Sequence, residues 1–397
     1  MKEKSYNFFK LIGEYSLYGL LFFLPISNAL VESFAGLALL GFVGRKIIKP
    51  DFKYLKFWPN AFLLLFLFFS ALSMFNSGAH LKISLHALFG KWIQYIGICI
   101  IVQDSLYDEK VIKRGILIFL LSAALVVLSG LSQYFFNIEF LRNRSPIKLS
   151  DGSYAATSSF VYYNAFGAYL VVVLSLVAAL LLENNYSRLK TRGLLFLAIL
   201  SAPAIIFTFS RGSWLGAFIS LIFMAALSRR NFKRLIPVFV IVIILFLLPI
   251  FYERLLFTFK GGGDSNRFRY WLAAWKMISD YPFLGIGIGT FMANFSKYLP
   301  NVYISYAHNS YLQIWAESGI FSLISFLAFV SSLIYLGIKK FIISRDFILL
   351  GFLSGALGYL AHSFFDTNLY SLSLAVLFWV WVGLIIERIR NEKLQRI

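Results

Sequence analysis

The sequence predicts an all-α polytopic integral membrane protein, and three observations carry that prediction. Hydrophobic residues make up 59% of the 397 and charged residues only 14%, against about a quarter charged in a soluble domain. Apolar stretches of spanning length follow one another along the chain, and mean hydropathy is +0.77. Lys and Arg crowd into every second connection between those stretches. The single cysteine, Cys99, excludes a disulfide framework or a Cys-based zinc site within one chain. The first apolar stretch lacks a small-residue cleavage site and another follows at once, so no removable signal peptide is expected.

A helix needs about 17–25 mostly apolar residues to cross the hydrocarbon core. About twelve stretches qualify: 9–26, 29–46, 59–76, 84–104, 112–136, 163–183, 190–209, 213–228, 234–252, 315–338, 345–364 and 371–388. The first two form a tight hairpin that contains Pro25 and Glu32. The two termini and the even-numbered connections hold 25 of the 37 Lys and Arg residues. By the positive-inside rule both termini are therefore cytoplasmic. The net charge of +19 is mostly this topology signal, so no nucleic-acid partner is implied. Residues 1–397 read as one membrane domain, without repeats, low-complexity stretches or heptads. A large and mostly helical outer segment, 253–312, joins the ninth and tenth spans.

The outer face carries the polar residues of interest. Arg211 lies between two long apolar stretches, in the run Phe207-Thr-Phe-Ser-Arg-Gly-Ser-Trp214. A guanidinium at the edge of a bilayer needs an anion, the interface or water. It either snorkels to a headgroup or receives a phosphate through bidentate hydrogen bonds. Lys91 falls a couple of turns into the fourth span from its outer end and has the same two readings.

Gly261-Gly-Gly-Asp-Ser-Asn266, in the long outer segment, reads as a flexible or turn-forming run, with Ser265 or Asn266 as a helix cap. Phe268, Trp271, Leu272, Trp275 and Ile278 then recur at helical spacing. This helix is expected to lie in the interface on its tryptophans, with Arg267 turned to the protein and Arg269 to water. Pro282-Phe-Leu-Gly-Ile-Gly-Ile-Gly289 contains GxGxG but lacks the strand and helix of a dinucleotide site. Its glycines are read as letting backbone bend tightly against a membrane helix.

His308 opens the tenth span in the company of Asn309, Gln313 and Glu317. It is either an interfacial cap or a base or hydrogen-bond donor to a substrate phosphate or hydroxyl. Glu317 lies about half a turn round the helix from His308, so a direct pair is not expected and a structural hydrogen-bonding role comes first. His362 and Asp366, four apart at the outer end of the eleventh span, are placed to hydrogen-bond each other. Two ligands do not make a metal site, and neither metal nor cofactor is expected.

Three segments, in this order, resemble the O-antigen ligase family of membrane glycosyltransferases, which also covers O-antigen polymerases and protein O-oligosaccharyltransferases. They are Ser210-Arg211-Gly-Ser-Trp214, then Arg267-x-x-x-Trp271 with Pro282-x-x-Gly285-x-Gly287, then His308-Asn-Ser-Tyr-Leu-Gln313 with Glu317 and Gly319. The His362–Asp366 segment is similar too, and the resemblance covers roughly 160–385. It implies transfer of a glycan from undecaprenyl-diphosphate to a sugar hydroxyl of lipid A-core, in lipopolysaccharide assembly at the periplasmic face of a bacterial inner membrane. It also implies inversion at the anomeric carbon without a metal, with Arg211, Arg267 and His308 as the essential residues. Lys91, Asn309, Gln313 and Glu317 become candidate contacts to diphosphate or glycan. The implied partners are the lipid-linked donor, the lipid A-core acceptor and membrane lipids.

Within the family, a polymerase would use a second lipid-linked glycan as acceptor, and a protein oligosaccharyltransferase would use Ser or Thr. The protein-modifying relatives tend to carry an added outer domain, which is not seen here. Outside the family, a transporter of lipid-linked sugars would favour paired broken helices and ionisable groups near the midplane. Here the polar residues gather at one face.

Overall fold

Capping residues set where the apolar stretches become helices. In a computed structural model, residues 2–52, 56–106, 108–149, 152–183, 186–228, 236, 240, 265–303 and 305–391 are described. The helices are α1 (Lys2–Phe23), α2 (Asn28–Ile48), α3 (Asn60–Leu72), α4 (Gly78–Ser105), α5 (Glu109–Phe136), α6 (Tyr163–Leu182) and α7 (Arg188–Phe207). After them come α8 (Arg211–Leu227), α9 (Ser265–Asp280), α10 (Phe291–Tyr298), α11 (Ser310–Ser344), α12 (Phe347–His362) and α13 (Leu372–Arg390). Side chains of Asp108, Ser210, Asn309 and Asp346 accept hydrogen bonds from the first-turn amides of α5, α8, α11 and α12, satisfying donors that a helix start leaves orphaned.

Six described helices, α4, α5, α6, α7, α11 and α13, are long and apolar enough to cross a membrane. Asn60–Asn76, α8 and α12 are shorter apolar helices. The expected ninth span, 234–252, apart from residues 236 and 240, and the run Gly261–Asp264 lie outside the described residues. The loop expected at 137–162 holds a small two-stranded hairpin, β1 (Ile147–Lys148) with β2 (Tyr154–Ala155), paired Ile147 to Ala155. Strands of two residues are too short to leave a periodic pattern in sequence, and the described residues remain all-α in class. Glu139 organises the approach to it, accepting from the amides of Leu141, Arg142 and Arg144 and from the Ser129 hydroxyl. Burial raises the Glu139 carboxyl, but these donors outweigh it and hold the group below its ordinary range.

α6 is the centre of the bundle, its apolar residues buried on all sides, and α13 is nearly as enclosed. A helix apolar all round belongs inside a bundle. Small residues set the crossing of α8 on α12. A Cβ built on Gly216 would stand 2.6 Å from the Gly358 carbonyl oxygen, and one built on Gly358 would stand as close to that of Gly216. Only glycine allows this approach of two backbones, the usual device where no water drives helices together.

The connections sort to the two ends of the bundle. At the end carrying the termini, Arg45 meets Asp104 and Ser105, and Arg388 meets Asp346 and Glu109. At the other end, Asn76 donates to the Gly285 carbonyl, the Ala156 amide to Phe207, and the Ser310 amide to Ser363. There a second hydrophobic cluster forms, separate from the bundle core. Ala273, Ala274, Met277 and Ile278 of α9 pack with Ile286, Phe291, Phe295, Ala307 and Ala316.

Candidate functional site

The α8–α12 crossing is what brings distant polar residues together. Gly212, one residue after Arg211, packs so closely on α12 that a Cβ there would meet His362 at 3.1 Å and Phe365 at 3.3 Å. Ser210 Oγ lies 3.4 Å from His362 Nε2. Arg211, the first residue of α8, is thereby held beside the turn that follows α12.

That turn carries Asp366. Its Oδ1 stands 3.1 Å from His308 Nδ1 and accepts from the Thr367 amide at 2.8 Å. The expected hydrogen bond between His362 and Asp366 is absent. His362 Nδ1 instead accepts from Asn368 Nδ2 at 2.7 Å. The reason lies in the anchoring of the turn to the start of α11. The Ser310 amide donates to the Ser363 carbonyl and Ser310 Oγ to the Asp366 carbonyl, at 2.9 and 3.0 Å. This aims the Asp366 carboxylate across at His308.

His308 precedes the Asn309 cap and adopts φ +48°, a left-handed conformation uncommon for a residue with a Cβ and concentrated where structure imposes it. Its ring stacks on Tyr270 of α9 at 5.8 Å between centroids, and Ser305 Oγ lies 3.2 Å from its Nε2. Burial raises the Asp366 carboxyl. The hydrogen bond and charge of His308, with the fields of His362 and Arg267, outweigh that and hold it well below the usual carboxylate range. An ionised Asp366 can only accept, so His308 Nδ1 is the donor of that hydrogen bond, and Nε2 faces the Ser305 hydroxyl.

α9 supplies Arg267. The helix turns Arg267 partly inward, where its charge reaches Asp366 and His362, and leaves Arg269 exposed. The face that packs on the protein includes small residues and one methionine. Ala273, Ala274 and Met277 are buried, whereas Phe268, Leu272 and Trp275 stay exposed. Small residues let α9 lie close against α11, and the large aromatic side chains remain on the outer surface. Trp271 is the exception: its ring meets Phe364 edge-on at 5.9 Å. Its indole N–H is buried without a hydrogen-bond partner among the described residues, one helical turn from Arg267.

Asn309, Gln313 and Glu317, candidate substrate contacts by sequence, are buried and hydrogen-bonded to protein groups. Asn309 Oδ1 accepts from the amides of Tyr311 and Leu312. Gln313 accepts from the Ala307 amide and donates to Glu317. Glu317 accepts from the amides of Gly289 and Phe291 at 3.0 and 3.1 Å, fastening the glycine loop and the start of α10 to α11. The loop is drawn so close that Gly287 stands at φ +111°, where a Cβ would meet Ser77 Oγ at 2.3 Å. At Gly319, φ +80°, α11 itself is kinked against the Phe283 carbonyl. What these three polar side chains touch is scaffold.

Lys91 sits in a π-helical turn of α4, Leu88–Trp92, a distortion often found at functional positions. The next residue, Trp92, meets Tyr370 edge-on at 5.6 Å. Sequence reasoning weighed Asp366 only as a partner of His362, and passed over Tyr270 and Ser305 beside His308. Among the described residues no three His, Cys, Asp or Glu side chains gather as a metal site would require.

Residues 195–327 match the model of the O-antigen ligase family. The matched stretch starts within α7 and ends within α11, and so includes Arg211, Arg267 and His308. No curated protein matches the chain.

Proposed function

We propose that this protein is a membrane glycosyltransferase of the O-antigen ligase type. It moves a glycan from undecaprenyl-diphosphate to a sugar hydroxyl of lipid A-core, inverting the anomeric carbon and using no metal. The observation that carries the reading is the His308–Asp366 pair, set 3.1 Å apart on the turn that also feels the Arg267 charge and packs beside Ser210–Gly212. In this reading the chain crosses a bacterial inner membrane twelve times with both termini cytoplasmic, and the site opens to the periplasm between lipid and water.

The acceptor hydroxyl attacks the anomeric carbon from the face opposite the diphosphate. His308 Nε2 takes the hydroxyl proton while Asp366 holds the ring in the tautomer that can do so and stabilises the imidazolium that forms. The bond from the anomeric carbon to the phosphate oxygen breaks, and its electron pair leaves on the diphosphate. Arg211 and Arg267 meet that growing negative charge with planar, always-protonated forks. Trp271 offers a buried N–H to a phosphate or sugar oxygen. Lys91 is a further phosphate contact. Asn309, Gln313 and Glu317 act by holding the loop and the helix start in place.

Purified protein with a defined lipid-linked glycan and lipid A-core tests the reading. Glycan appearing on the lipid A-core supports it. Extension of a second lipid-linked glycan instead would make the protein a polymerase. Loss of all transfer in chelator, restored by magnesium or manganese, would overturn the arginine-based account.

A further inference from the structure

Away from the site, a recess opens between α5 and α7 near the end of the bundle that carries the termini. It encloses about 490 Å³ and is walled by Leu117, Leu121 and Ala124 of α5 and by Leu194 and Leu197 of α7. Along α5 its lining runs from Lys113 to Ala124, a depth of about 16 Å at the rise of an α-helix. That is about half the hydrocarbon thickness of a bilayer, or one leaflet. Gly193 deepens it: a Cβ built there has no neighbour within 4 Å.

The mouth is basic. Lys113, Arg114 and Lys190 line it, and Arg188 and Arg192 flank Lys190 on α7. The carboxylates that face these cations are Glu109, 3.2 Å from Lys113, and Glu14, 4.0 Å from Arg114. Both pairs involve well-exposed cations and hold them only loosely. Glu109 is also bound by Arg388. Glu183 is engaged by the Tyr186 hydroxyl at 2.8 Å.

We propose that this recess is a binding site for an anionic phospholipid of the leaflet at the terminus end, one acyl chain lying between α5 and α7 and the phosphate meeting Lys113, Arg114 and Lys190. An apolar slot one leaflet deep, with cations only at its mouth, matches that ligand in length and in charge. The inference does not depend on the transfer reaction.

Native mass spectrometry of the full-length protein in detergent, titrated with palmitoyl-oleoyl-phosphatidylglycerol or the matching phosphatidylcholine, tests it. The phosphatidylglycerol adduct should exceed the phosphatidylcholine adduct by about fivefold, as a small cluster of cations at a lipid headgroup allows. Lys113→Gln with Lys190→Gln should remove the preference while leaving some lipid bound. Gly193→Phe, which fills open space, should remove the adduct while the protein keeps its helical circular dichroism and stays monodisperse. Leu121→Trp repeats that test from the other wall. Equal retention of the two lipids, an unchanged adduct in both filled variants, or displacement of phosphatidylglycerol by undecaprenyl phosphate would overturn the proposal.

Discussion

The two ends of the helix bundle use charge differently. At the terminus end, the Arg388 side chain is 3% exposed, with Asp346 at 2.6 Å on one side and Glu109 on the other. Arg45, as deeply buried, faces Asp104 at 2.7 Å. These are permanent cations, themselves almost wholly buried, matched to carboxylates, an arrangement that fixes how helices meet. At the opposite end, Asp366 is matched to a histidine whose side chain is 32% exposed. Arg267 acts on that pair through its field, and the turn presenting it is fastened by backbone hydrogen bonds. One end locks packing, and the other holds a titratable group at the surface in a fixed orientation.

If that contrast is correct, substitutions at the two ends should fail in different assays. The largest effect is expected for Arg211→Ala and Arg267→Ala, each lowering the transfer rate by about 10³-fold, the scale of losing a donor to developing charge, with thermal stability little changed. Arg211→Lys should recover little, because a point charge lacks the planar fork. A rate assay beside thermal unfolding in detergent would decide, and a variant that lost both together would erase the distinction.

Arg388→Ala should show the reverse. Removing it leaves Asp346 buried and uncompensated, a loss of about 3 kcal/mol in stability. The transfer rate per folded molecule should remain that of the parent. A rate that fell in step with stability would mean that the inner ion pairs reach the outer site through the bundle.

Asp366→Asn should lower transfer by about 10²-fold, because an amide no longer fixes which His308 nitrogen carries the proton. The same substitution gives a pH signature. The Asp366 carboxyl sits below its ordinary value of 3.8 when folded. Its contribution to stability is therefore present above that pH and is lost as pH falls from there toward the folded value. The stability gap between parent and Asp366→Asn should close only as pH falls below the ordinary carboxyl value. A gap closing near neutrality would point to a different titrating group.

Much of this architecture is legible in the residues. Apolar stretches and the alternation of Lys and Arg mark the helices and sort their connections to two ends, because both follow from the cost of placing charge in hydrocarbon. Arg211 stands out as a cation between two apolar stretches, Arg267 by its place at the edge of an aromatic stripe, and His308 by its polar company at a helix start. The partner of His308 was not legible in the same way. Asp366 lies four residues from His362, so local spacing pairs those two, but the hydrogen bonds from Ser310 rotate the turn toward α11. Glu317 was legible in its role, a structural hydrogen bond, but not in its partners. Its position half a turn from His308 rules out a direct pair, and only the glycine loop packed against it from 28 residues upstream in sequence reveals what it binds. The aromatic stripe of α9 was legible, but the face that packs on the protein was not, because Ala273 and Ala274 leave no strong pattern.

The smallest effect should come from Arg269→Ala, and it is the sharpest test of how α9 is set. Arg267 and Arg269 are two residues apart, so about 200° of helical rotation separates them. With Ala273, Ala274 and Met277 fixed against the protein, Arg267 falls at the inner edge and Arg269 among the exposed side chains. An exposed charge contributes on the order of 0–1 kcal/mol to what it touches, so Arg269→Ala should cost less than about fivefold in transfer. The two substitutions remove the same group from the same helix, so any general loss of positive charge or of helix anchoring in the interface is common to both. A loss in Arg269→Ala as deep as that in Arg267→Ala would mean that the helix is rotated from this setting, or that its arginines act as a diffuse cationic patch and not through one oriented guanidinium.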